Sequence, residues 1–292
     1  MKPCSMSFAF SRRQFIAGIL AATATNVRAA DADLHAQLEA LQARSGGRLG
    51  VCIREAGGAL QSGLNENERF AMCSTFKVLL AAQLLSQVDA GTLDMQRRIA
   101  FSRSDLLSYA PLTTANVAQG SMTVAELCAG IVEVGDNTAA NLLLPLAGGP
   151  EGLTQWLRKL GDDVTRLDRI EPDLNTNIAG DLRDTTTPAA MTETLGRIVT
   201  GNVLSSASRK LLSEWLVQSS TGTRRIRAGL PTAWRAGDKT GTGVNGAVND
   251  VAIIWPPGRA PLVAAIYMSD SKRPIAELEQ IHAQVGRLIG ET

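Results

Sequence analysis

Histidine is nearly absent from this chain. Only His35 and His282 occur in 292 residues, on amphipathic stretches at opposite ends. A zinc cluster or a Ser-His-Asp triad is therefore not expected, because each needs imidazoles converging on one cleft. Excess charge of either sign is lacking too: 29 basic against 28 acidic residues leave +1. Proteins that track phosphates cluster their Lys and Arg, so no nucleic-acid partner is expected. Cysteine is scarce. Cys4 precedes the N-terminal apolar run, and Cys52, Cys73 and Cys128 are an odd number. At least one thiol then stays free in an oxidising compartment, which argues against a disulfide framework. There is no internal repeat and no low-complexity segment.

What is present begins with "SRRQFIAGILAATA", which joins Arg12-Arg13 and Phe15 to a short apolar run and then to small residues near "VRAADA". This reads as a twin-arginine-type signal peptide over residues 1–30, cut near Ala29 or Ala30. The run is too short to span a bilayer comfortably. A periplasmic monomer with no membrane contact after cleavage is expected.

The remaining chain, part of a sequence that is 45% apolar, can bury a full core. Leu34, Leu38 and Leu41 have helical spacing, and "RLGVCIREAGGALQSGLN" reads as two strands around a Gly-Gly turn. From Ser74 to about Leu216 the pattern is helical, in "TVAELCAGIVEV", "NTAANLLLPLA", "GLTQWLRKLG" and "TPAAMTETLGRIVTG", with no convincing strand. Three consecutive strands follow, in "AWRAGDKTGTG", "AVNDVAIIWPPG" and "APLVAAIYMSD", then a closing helix in "PIAELEQIHAQVGRLIGE". Consecutive strands imply antiparallel pairing. The expected fold is α/β in the α+β sense: a mostly antiparallel five-stranded sheet flanked by helices, built from residues 31–73 and 217–292. An all-helical lobe, 74–216, is inserted into it, with a cleft at the seam. "RLDRIEPDLNTNIAGDLRDTTTP" is a long aperiodic loop of the kind that is usually functional or disordered.

Several residues could carry chemistry. Ser74 and Lys77 are three apart at a helix start, so they share a face, and a neutral Lys77 amine could take the Ser74 proton. The helix N-terminus also favours developing negative charge. As an isolated pattern this equally describes a capping serine and a surface lysine, and a second copy, Ser269-x-x-Lys272, sits in a loop. Cys73 reads as a buried filler pointing about 100 degrees around the helix from Ser74. Asp136 and Asn137 precede a helix, where capping alone would explain either. Lys239, Thr240, Gly241 and Thr242 lie at a strand edge whose glycines allow close backbone approach, or form a plain turn. Gly241-x-Gly243-x-x-Gly246 leads into a strand and is no nucleotide loop. Glu171 and Asn175, four apart in the loop, could together hold one water.

In order, these motifs follow the Ser-x-x-Lys, Asp-Asn and Lys-Thr-Gly signatures of penicillin-recognising serine enzymes. With "STFK", "DNTAANLLL", "RIEPDLN", "RDTTTP" and "DKTGTG" all at familiar spacings, the chain resembles a class A serine β-lactamase over essentially its whole mature length. The resemblance implies Ser74 as nucleophile, with Lys77, or Glu171 through water, as base; Glu171 and Asn175 as holders of the deacylating water; and an oxyanion hole from the N–H groups of Ser74 and Thr242. It implies that Asn137 orients the substrate amide, that Lys239, Thr240, Gly241 and Thr242 receive the substrate carboxylate, and that Arg225 assists them, the alternative being a surface arginine. Val248 occupies the position where many relatives carry that arginine. Arg169 and Asp184 match the ion pair closing an Ω loop at about 169–184. Tyr109 matches an aromatic at the cleft rim or a core tyrosine. The resemblance implies no metal and no organic cofactor.

Three departures stand out. Gly135 replaces the serine whose hydroxyl, in the family, passes a proton to the departing lactam nitrogen, so slow acylation of some substrates and weak inactivation by clavulanate-type inhibitors are expected. Ala81 and Cys128 match the family's inter-helix disulfide, which cannot form. Gly243 replaces a cysteine of many carbapenem-hydrolysing relatives, so penicillins and some cephalosporins are the expected substrates. A D-alanyl-D-alanine peptidase and a non-catalytic β-lactam sensor are the competing readings.

Overall fold

The computed structural model describes residues 33–58 and 60–291; the export signal read at 1–30 lies outside them. A helix over 33–45, α1, turns Leu34, Leu38 and Leu41 inward. The hairpin β1, Arg48–Glu55, and β2, Leu60–Leu64, follows, and then a two-residue strand, β3, Phe70–Ala71. A single 3-10 turn, Cys73–Thr75, runs straight into α2, Phe76–Asp89. Every residue from Phe76 to Leu85 is buried. A helix with no polar face over that length belongs in the middle of a lobe.

Around α2 lie β4, Arg98–Ala100, α3, Pro111–Asn116, β5, Ser121–Thr123, and α4, Val124–Glu133. They are followed by α5, Asn137–Leu143, α6, Gly149–Lys159, β6, Thr185–Thr186, α7, Pro188–Thr200, and α8, Ser206–Gln218. Thr123 opens α4 with a capping box to Glu126, and Asp136, Thr187 and Ser205 cap α5, α7 and α8. These side chains satisfy N–H groups that a helix start leaves without partners. The expectation that no strand lies between Ser74 and Leu216 is corrected: β4 pairs with β5, and β6 with β3. Each is only two or three residues long, too short for an alternation pattern, and is held by a segment remote in sequence.

The chain ends with α9, Ile226–Gly229, β7, Arg235–Thr242, β8, Val248–Trp255, β9, Leu262–Ser269, and α10, Ile275–Glu291. The main sheet has the order β2-β1-β9-β8-β7, with every neighbouring pair antiparallel. Both chain ends therefore share it, as the pattern of consecutive strands implies. Strand period two divides its side chains between two cores. Val251, Ile253, Val263, Ala265 and Tyr267 face the α2 lobe, while Ala252, Ile254, Leu262, Ala264, Ile266 and Met268 pack with α1 and α10. Cys52, Cys73 and Cys128 are buried free thiols.

Candidate active site

Ser74 sits in the 3-10 turn one step ahead of α2, between the α2 lobe and strand β7. The residue before it, Cys73, opens that turn with a left-handed φ of +47, so the expected 100-degree α-helical offset does not apply. Cys73 packs with Ala71 and Ala247, and burial pushes its thiol up to about 12. A thiol held protonated is no competing nucleophile. Strand β7 comes close because it has no side chains there. A Cβ on Gly241 would lie 2.7 Å from Met72 O, and one on Gly243 would lie 2.7 Å from Cys73 Sγ. The glycines thus admit the nucleophile turn itself to the strand edge.

Four elements meet at Ser74. Lys77 Nζ, from the first turn of α2, donates to Ser74 Oγ at 2.9 Å, to Gly135 O at 2.9 Å and to Asn137 Oδ1 at 2.5 Å. It also lies 2.9 Å from Glu171 Oε1. Ser74 Oγ donates to the same Oε1 at 3.2 Å. Asn175 Nδ2 donates to the other oxygen, Oε2, at 2.6 Å. Lys77 and Glu171 are 0% and 2% exposed, and burial lowers the Lys77 pKa while Glu171 opposes the shift. The surface-lysine reading of Ser-x-x-Lys is thereby excluded.

Glu171 is aimed by a contact that the sequence did not reveal. Asn141, on α5, receives Glu171 N–H at Oδ1, 3.0 Å, and returns a bond from Nδ2 to Glu171 O, 2.8 Å. The peptide before Pro172 is cis. Asp184 closes the same loop: Oδ2 accepts from Arg169 Nε at 2.5 Å, and Oδ1 accepts from Asp168 N and Arg169 N at 2.8 and 2.9 Å. Asp184 O also accepts from Met72 N at 2.8 Å, so the end of the loop is tied to the turn that carries Ser74.

Asp136 is structural. Its carboxylate accepts from Leu112 N, Thr113 N, Thr113 Oγ1 and Ala139 N, joining the starts of α3 and α5. That arrangement presents Asn137, whose Oδ1 faces Lys77 and whose Nδ2 stays available to the cleft. Tyr109 is 51% exposed, with its hydroxyl donating to Val134 O at 3.1 Å; it belongs to the rim and not to the core.

The opposite wall is β7. Lys239 is buried, and its Nζ donates to Thr240 O at 2.9 Å. Burial, and then the charge of Lys77, draw its pKa down to about 7. Behind it, burial raises Asp238 and Asp250, and the proximity of Asp238 raises Asp250 further. Arg225 is buried, so the surface alternative fails. Its Nη1 donates to Gly241 O and Asn249 O, and its Nη2 to Thr242 Oγ1 at 2.8 Å. Because Thr242 Oγ1 accepts there, its own O–H is left to donate into the cleft. Asn249, missed from sequence, donates to Ala71 O and Met72 O and fastens β8 to the nucleophile turn. Adjacent polar residues, Asn249 and Asp250, inside a strand of apolar residues were the available signal, since a buried polar group must be paired. These residues line a cleft of about 620 Å³ that also takes in Ser220, Thr221, Thr223 and Arg224, none of them singled out from sequence. No cluster of metal-ligating side chains occurs among the described residues.

Comparison with known proteins gives one answer. Residues 33–292 match the model of the beta-lactamase enzyme family. The chain is 43% identical over 257 residues to the β-lactamase CTX-M-8 of Citrobacter amalonaticus, covering 88% of each. It is 42% identical over 258 residues to the β-lactamase OXY-2 of Klebsiella oxytoca, covering 88% of this chain and 89% of that one. Among solved structures, an ancestral class A β-lactamase is 52% identical at a TM-score of 0.86, over 88% of this chain and 99% of that one. A β-lactamase from Xanthomonas campestris is 46% identical at 0.87, over 90% and 98%. With a cleft serine set against a buried lysine and glutamate in this sheet-and-helix frame, the chain belongs to the class A serine β-lactamases, hydrolases that open β-lactam antibiotics and so confer resistance to them.

Proposed function

We propose that Ser74 Oγ attacks the lactam carbonyl and is freed again by a water held between Glu171 and Asn175. One observation carries this reading: the two oxygens of Glu171 face Ser74 Oγ at 3.2 Å and Asn175 Nδ2 at 2.6 Å. One carboxylate thus addresses both the nucleophile and a site for the hydrolytic water. The serine proton leaves toward Glu171, while Lys77 Nζ donates to the same Ser74 Oγ. The N–H groups of Ser74 and Thr242 receive the oxyanion, each such donor being worth about a hundredfold to a thousandfold in rate. Asn137 Nδ2 takes the substrate amide. Lys239, Thr240, Gly241 and Thr242 take its carboxylate, with Arg225 holding Thr242 from behind, and Tyr109 covers the rim.

The substrates in this reading are penicillins and some cephalosporins. Gly135 offers no hydroxyl for a second covalent bond, so clavulanate-type inhibitors inactivate poorly. The enzyme acts as a periplasmic monomer exported by the twin-arginine route. Its cleft is the seam between an α/β part, residues 31–73 and 217–292, and a helical part, 74–216.

Mass spectrometry after benzylpenicillin tests the cycle. The unmodified protein is expected to return to its native mass within seconds, and Glu171→Ala to keep a penicilloyl adduct for hours. A lasting adduct on the unmodified protein would overturn the reading in favour of a peptidase or a sensor.

A further inference from the structure

Cleavage of an amide needs a proton at the departing nitrogen. Lys77 is poorly placed to give one. Its Nζ has four acceptors in reach, Ser74 Oγ, Gly135 O, Asn137 Oδ1 and Glu171 Oε1, against the three N–H bonds of an ammonium. Gly135, in the turn between α4 and α5, has no side chain. A Cβ built there would find Lys239 Nζ and Tyr109 Cε1 nearest, each at 3.6 Å. Among the described residues Lys239 Nζ has one hydrogen-bond acceptor, Thr240 O, and no carboxylate within 4.0 Å. Two of its three N–H bonds are therefore not taken by the protein.

We infer that Lys239 is a catalytic acid that protonates the leaving lactam nitrogen directly, the function a side-chain hydroxyl at position 135 would otherwise serve. The inference rests on the proposed acylation of Ser74. As the ester bond to Ser74 forms and the C–N bond breaks, the nitrogen's electron pair takes a proton from Lys239 Nζ. Both nitrogens end as neutral amines. The proton that Ser74 gave to Glu171 leaves through the open cleft, and solvent reloads Lys239 before the next turnover. The strength of the acid suits the task. Burial, Lys77 and Arg225 lower the Lys239 pKa to about 7 against the opposing pull of Asp238 and Asp250, and acids near the working pH transfer protons best. Lys239 stays beside the ligand carboxylate until it gives up its proton, after which Thr240, Gly241 and Thr242 hold that carboxylate, with Arg225 bonded to the Thr242 hydroxyl from behind.

A double-mutant cycle read by stopped flow tests this, using the acylation rate at saturating nitrocefin. Lys239→Arg keeps a positive charge for the carboxylate but carries a guanidinium that does not deprotonate in proteins. It is expected to slow acylation at least a hundredfold in the native background and less than fivefold beside Gly135→Ser, where a hydroxyl can pass the proton. Equal losses in both backgrounds would overturn the inference, leaving Lys239 a carboxylate binder only. If Lys239→Arg does not fold, pH profiles decide. The saturated acylation rate of the unmodified enzyme should fall as pH rises, and Gly135→Ser should hold its rate to at least one pH unit higher; superimposable profiles would overturn the inference. Absence of any Ser74 adduct on the unmodified enzyme would instead overturn the parent reading, and this one with it.

Discussion

Gly135 has φ +73, a left-handed backbone that costs a side chain about 1–2 kcal/mol. The nearest atoms to an added Cβ stand at 3.6 Å, ordinary contact distance. Gly135→Ser is therefore expected to fold, to melt a few degrees lower, and to be inactivated by clavulanate at least ten times faster than the unmodified enzyme. Inactivation rates measured side by side check this, and equal rates would defeat it. At this scale Ser74, Lys77, Glu171, Asn175 and Lys239 were legible because each stands in a spaced motif. Arg225 was only half legible: its neighbours Arg224 and Arg227 look the same in sequence, and only the fold turns one guanidinium inward toward the Gly241 and Asn249 carbonyls. Asn141 carried no local mark, since its partner Glu171 lies 30 residues on.

The Ω loop contains no regular element longer than a three-residue 3-10 turn, and its closing pair is buried on the Asp184 side, so that pair matters more than a surface ion pair would. Asp184 is buried with φ +58, and it accepts two backbone N–H groups besides Arg169. Removing one partner of such a pair typically costs about 3–5 kcal/mol. Asp184→Ala is expected to lower the melting temperature and to slow deacylation more than acylation, because Glu171 is the group set adrift. Unchanged melting and turnover would refute this. The long helices and β7, β8 and β9 could be read from periodicity, and the loop from its lack of it. β3 and β6 could not, because two residues make no pattern and their pairing depends on this loop returning to the sheet.

Part of the whole molecule's response to acid runs through one deeply placed imidazole. His282 is fully buried, with Nε2 3.1 Å from Val248 O, and burial, aided by Arg225, lowers its pKa from 6.5 to about 3. The unfolded chain takes up a proton near 6.5 that the fold refuses until near 3. Stability from this group is thus complete above that upper value and falls as pH drops through the window, by about 1.4 kcal/mol per unit. Urea unfolding at pH 7 and 4.5 should show a smaller acid loss for His282→Gln than for the unmodified enzyme, whatever the variant's starting stability; parallel losses would contradict it.

The buried thiols carry a last consequence. Cys52, Cys73 and Cys128 are unpaired and enclosed, so among the described residues no disulfide holds the fold together. Its unfolding curve should be the same with and without dithiothreitol, so refolding in a reducing solution should recover full activity with no oxidant added.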